Sequence, residues 1–88
     1  MICGKPSPPV GKLGKIFSCA AERGHRHAHV TMDEASGGLI FWEGDWYWWY
    51  HAGITEAELN HMIEISRKNN APVPAGISFK FFELAKGN

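Results

Sequence analysis

Short alternating runs of apolar and polar residues occupy the first half of the chain, and a single run with helical period follows them. Lys15-Ile16-Phe17-Ser18-Cys19-Ala20-Ala21 reads as a first strand, and Glu22-Arg23-Gly24 as the turn that returns the chain. Residues 25–32 read as a second strand, with Ala28, Val30 and Met32 on one face and His25, His27 and His29 on the other. After a polar turn at 33–38, Leu39-Ile40-Phe41-Trp42 and Trp46-Tyr47-Trp48-Trp49-Tyr50 flank Gly44-Asp45, a pair suited to a two-residue type II′ hairpin. That turn predicts Trp42 opposite Tyr47, Phe41 opposite Trp48 and Ile40 opposite Trp49.

The period then changes. Thr55-Glu56-Ala57-Glu58 is a capping box, and Leu59, Met62, Ile63 and Ser66 share one side of a helix over about 56–68. Asn69-Asn70 ends it, with Pro72 and Pro74 barring continuation. Ile77-Ser78-Phe79-Lys80-Phe81-Phe82 alternates into a last strand. The predicted order is ββββαβ, a small α+β fold with an antiparallel sheet covered by one helix. Residues 1–14, rich in Pro and Gly, read as an irregular arm ahead of a single domain over 15–88.

Three imidazoles at alternate positions are the main chemical signal, because neutral imidazole is the commonest protein ligand for zinc and a good one for nickel and copper. On an extended strand, residues two apart stand roughly 6.5–7 Å apart and residues four apart roughly 13 Å. An adjacent pair can share an ion, and the outer two cannot easily do so. His27 with His29 is the favoured pair, and His25, Cys19 and His51 are further candidates. If Ile16 opposes Val30, Cys19 faces His27 and joins the site; a slip of one residue puts Phe17 and Cys19 in the core instead. The pattern supports either register. Cys3, in the arm, is expected to be a freely reactive thiol.

Length and charge narrow the functions. Eighty-eight residues bury a modest core, so a metal staple or a partner would help. Nine basic residues balance nine acidic ones, which removes the electrostatic footprint of a nucleic-acid binder. No apolar run has the length of a membrane span or of a signal-peptide core, and two cysteines make no disulfide framework, so the cytoplasm is the expected location.

Seven of the eleven aromatics lie between Phe41 and Tyr50, on both faces of one hairpin. One helix can hardly cover them, so part of the block, Trp42, Trp46, Tyr47, Trp48 and Trp49, is expected to be a partner surface for a larger protein or a second copy.

At His27-Ala28-His29-Val30 the chain resembles a family of small uncharacterised proteins of bacteria and mobile elements, often found beside toxin–antitoxin-like genes. Their motif is Pro-Pro-His-x-His-Val, and the resemblance spans about residues 15–72, with His25 and Arg26 standing where the family has its prolines. It implies a short strand, a strand pair, one helix and a terminal strand, and it implies no activity.

Enzyme motifs are otherwise missing. His29-Val30-Thr31 is a single His-x-Thr element where two-histidine phosphoesterases need two. A Cys19/His27 nucleophile pair lacks a third positioning group. The expectation is therefore a non-enzymatic, zinc-binding interaction module, in its narrower form a phage or mobile-element inhibitor of the anti-CRISPR or antitoxin kind. The rival is a metal-dependent hydrolase or nuclease using His27, His29 and Asp33.

Overall fold

The structure is a computed structural model and describes residues 1–85. Three strands, β1 (His29–Met32), β2 (Leu39–Glu43) and β3 (Trp46–Tyr50), form an antiparallel sheet in the order β1-β2-β3. Two helices follow, α1 (Glu56–Lys68) and α2 (Lys80–Ala85). The class is α+β, with three strands where the periodicity predicts five and one main helix.

The β2–β3 hairpin forms in the expected register, pairing Trp42 with Tyr47, Phe41 with Trp48 and Ile40 with Trp49. Gly44 supplies the positive φ, +57°, that the first turn position of a Gly-led hairpin requires. β1 pairs His29 with Trp42 and Val30 with Phe41. Alternation then divides the sheet. Val30, Leu39, Phe41, Trp48 and Tyr50 face the helices, where Ile54, Leu59 and Phe82 complete a buried cluster. Ile40 and Trp42 face the opposite side and pack with Phe17 and Cys19.

α1 spans the predicted residues, and its capping box is complete: Thr55 Oγ1 accepts from the Glu58 N–H, and the Glu58 carboxylate accepts from the Thr55 N–H. Asn70, at φ 54°, takes the left-handed conformation past the end. Leu59 alone is fully buried on α1, so the helix is held mainly by one side chain whose truncation to alanine costs about 2–5 kcal/mol. Met62, grouped with Leu59 in the sequence reading, is exposed.

Two expected strands do not form. Residues 80–85 are helical because the run ends in adjacent phenylalanines. A strand would put Phe81 and Phe82 on opposite faces, whereas the helical turn stacks Phe82 on Phe79 and buries it against Phe41 and Tyr50. Residues 15–21 do not reach a ladder either. Their partner is the Pro-rich arm, which touches them at isolated bridges, Pro6 with Ser18 and Val10 with Lys15, with a third, Ile2 to Glu22, just past the run. Proline has no N–H to donate, so continuous pairing fails. Ser7 compensates in part: its Oγ accepts from the Phe17 N–H at 2.8 Å and donates to the Pro8 carbonyl at 2.8 Å.

The arm therefore turns back at Gly11–Gly14 and lies over the sheet face that the helices leave open. Neither proposed register joins 15–21 to β1; the main chains meet through a bond from the Ala20 N–H to the Val30 carbonyl at 2.9 Å, beside the Cys19 thiol on the Val30 main chain.

Candidate metal centre

Residues 25–28 are not an extended strand. Gly24, at φ +86°, turns the chain into bends at Arg26 and His27, and β1 starts only at His29. The bends shorten the path between alternate residues. The His25 and His29 rings stand 5.1 Å apart, edge to face, where an extended strand would hold those residues at roughly 13 Å. The outer pair, set aside on strand geometry, is the pair brought together.

Two cysteines complete the group. Donor atoms of Cys3, Cys19, His25 and His29 all lie within 4.8 Å of one another. Cys3 arrives from the arm, positioned by its N–H bond to the Ala21 carbonyl and by that of Gly4 to the Cys19 carbonyl. Cys19 is buried and the other three are half-buried.

The separations suit a tetrahedral ion. Cys19 Sγ lies 3.5 Å from His25 Nε2, and Cys3 Sγ lies 3.6 Å from His29 Nδ1. Zinc bonds of about 2.3 Å to sulfur and 2.0–2.1 Å to nitrogen, at the tetrahedral angle, put sulfur and nitrogen about 3.5–3.6 Å apart. The tautomer of His25 also fits. Its Nδ1 is 2.8 Å from the His27 carbonyl oxygen, which can only accept, so Nδ1 carries the proton and the Nε2 lone pair faces Cys19.

Electrostatics act in opposite directions on the two kinds of ligand. Burial, helped by His25 and Lys5, lowers the His29 pKa from its ordinary 6.5 and keeps the ring neutral as a ligand must be. Burial raises the Cys19 thiol above its ordinary 9.0, against the pull of the Val30 and Ala21 main chain, so a cation is what would favour the thiolate.

Of the expected ligands, His25, His29 and Cys19 join, and His27 and His51 do not. The His27 Nδ1 bonds the Ala28 carbonyl at 2.7 Å, and its ring stacks on His25 and meets Phe81 edge-on. His51 is exposed beyond the end of β3. Cys3, expected to be a free thiol, is the fourth candidate ligand and carries no sequence signal of its own; the readable trace of the group is the His-x-x-x-His spacing of residues 25 and 29, common in Cys₂His₂ sites. Asp33 is engaged elsewhere, accepting from Ala35 and Ser36 and lying 3.9 Å from Lys15. The Cys19/His27 pair does not form, His25 being the ring beside Cys19.

The aromatic block divides. Trp42 is buried, 1% exposed, with its ring stacked on His29, and so supports the centre rather than any outer surface. Trp48 is half-buried, its Nε1 donating to the Pro72 carbonyl at 3.1 Å. Trp46, Tyr47 and Trp49 are exposed at 55%, 39% and 45%.

No family model, curated protein or solved structure matches the chain. Among the described residues no helix is long and apolar enough to cross a membrane.

Proposed function

We propose that this chain is a binding module stapled by one zinc ion held by Cys3, Cys19, His25 and His29, with the exposed aromatics of β3 as its partner surface. The observation that carries the reading is the pair of sulfur–nitrogen separations, 3.5 and 3.6 Å, matching the edges of a zinc-centred tetrahedron. Four protein donors fill a tetrahedral shell, which is the arrangement of structural sites; catalytic sites keep a position open. The hydrolase alternative loses two of its three ligands, since His27 and Asp33 lie outside the group. The cleft of about 290 Å³ beside β1 is lined by His27, Val30 and Phe81 and by none of the four donors. The anti-CRISPR- or antitoxin-like inhibitor is a narrower form of the same reading, supported by small size, zero net charge and the aromatic strand.

Elemental analysis of untagged protein tests the staple. One equivalent of zinc is expected, lost in Cys3→Ser with Cys19→Ser and accompanied by a lower melting temperature, because site formation is folding free energy. Metal-free protein from zinc-supplemented growth, with melting indifferent to chelation, would overturn it.

A further inference from the structure

β3 is an edge strand with its outer side open. The two-residue turn makes Glu43 and Trp46 the closing hydrogen-bonded pair, so the backbone groups of Trp46, Trp48 and Tyr50 turn toward β2. Those of Tyr47 and Trp49 turn to the outer edge, where no further strand lies among the described residues. Soluble proteins guard such edges with charges, proline or a bulge. Residues 46–50 have no charge and no proline, and the pairing with β2 runs without a bulge.

We propose that this edge takes a second copy of the same chain, β3 against β3, antiparallel and centred on Trp48. About that centre Tyr47 of each copy falls opposite Trp49 of the other, and both are residues whose N–H and C=O point outward. The main-chain bonds close reciprocally on both sides of the axis, and the two exposed aromatics of one face form cross-strand pairs. A two-fold contact uses the same patch on both copies and needs no second surface. The formal charge of zero lets two copies approach without mutual repulsion. The opposite edge is not equally open: the Val30 carbonyl of β1 already accepts from Ala20, so growth stops at two copies.

This inference deepens the binding-module reading by naming the partner, and zinc content measured on the same samples separates the two. The full zinc-loaded chain, 9.8 kDa, should sediment at twice that mass. Y47K/W49K, which sets lysine against lysine across the axis, should halve the mass. Y47K/W49E, which sets lysine against glutamate, should restore it. In the unsubstituted protein the Tyr47 and Trp49 amides should be protected from exchange when concentrated and lose protection on dilution. A monomer carrying one zinc overturns the pairing and leaves the staple standing. A Y47K/W49K protein that stays dimeric, or a Y47K/W49E protein that stays monomeric while folded, also overturns it. A zinc-free dimer keeps the pairing and overturns the staple.

Discussion

His25 is aimed by the main chain of His27: its Nδ1 stands 2.8 Å from the His27 carbonyl oxygen, while the His27 ring stacks on the His25 ring and meets Phe81 edge-on without offering a ligand atom to the group. Residue 27 thus serves the centre through its backbone. His25→Ala and His29→Ala should each abolish stoichiometric zinc in elemental analysis. His27→Ala keeps the carbonyl and should retain one equivalent. Loss of zinc in His27→Ala, with retention in His25→Ala, would assign the ligands the other way.

The two thiols should respond together to the metal. In zinc-loaded protein, alkylation of both Cys3 and Cys19 should be slow; after chelation both should react, Cys3 first, since Cys19 is only 1% exposed. Mass spectrometry of timed samples reads this directly. Rapid labelling of Cys3 in the loaded protein excludes it from the shell.

Gly76 has two reasons to be glycine. Its φ is +72°, and a Cβ there would meet the His27 Cβ at 2.7 Å. Gly44 shares the first property, with φ +57° and open space around it. Gly44→Ala should therefore cost about 1–2 kcal/mol for the left-handed backbone and leave zinc binding intact. Gly76→Ala should cost more and weaken zinc binding, because the collision displaces the residue whose carbonyl holds His25. Equal denaturant midpoints for the two variants would remove the collision from the account.

Acid should loosen α1 in a defined direction. Bonds from Thr55 hold the Glu58 carboxyl below its ordinary 4.5. A group depressed in the folded state contributes stability above its unfolded pKa, and that contribution is lost as pH falls from 4.5 through the folded value. Helix circular dichroism against pH should show this loss in the parent protein and not in Glu58→Gln. Thr55→Ala keeps the main-chain donor to the Glu58 carboxylate, so it should shrink the pH-dependent loss without removing it, and it should cost about 1 kcal/mol at neutral pH as a lost cap.

Local rules carried the helix and the β2–β3 hairpin. The capping box, the Gly-led turn and the twofold period each set one element without help from distant residues, and each stands where those signals put it. The centre was half legible. Imidazole chemistry pointed to His25 and His29, but their distance was read on strand geometry, and the bends after Gly24 depend on packing of His27 against Gly76, a contact across about fifty residues of sequence. Cys3 was invisible for the same reason: proline and glycine describe an arm as irregular without saying where it docks. The run ending at Phe82 is ambiguous because the five alternating residues 77–81 fit a strand and a short helix almost equally, and burial of Phe82 decides between them.

The arm's place over the sheet has a last consequence for how the molecule comes apart. Its two coats adhere by different means. The helical side is fastened by apolar side chains such as Leu59 and Phe82, which no chelator touches. The other side has a smaller apolar cluster, Phe17 and Cys19 against Ile40 and Trp42, and otherwise hangs on scattered main-chain bonds, those of Cys3, Gly4, Ser7, Val10 and Cys19, and on the four proposed ligands between residues 3 and 29. Withdrawing the ion should peel that side alone, so hydrogen exchange after chelation should speed at those five amides and barely change along β2 and α1. Uniform acceleration would mean that the coats detach as one. On the first outcome the protein has a seam, and the metal is its fastener.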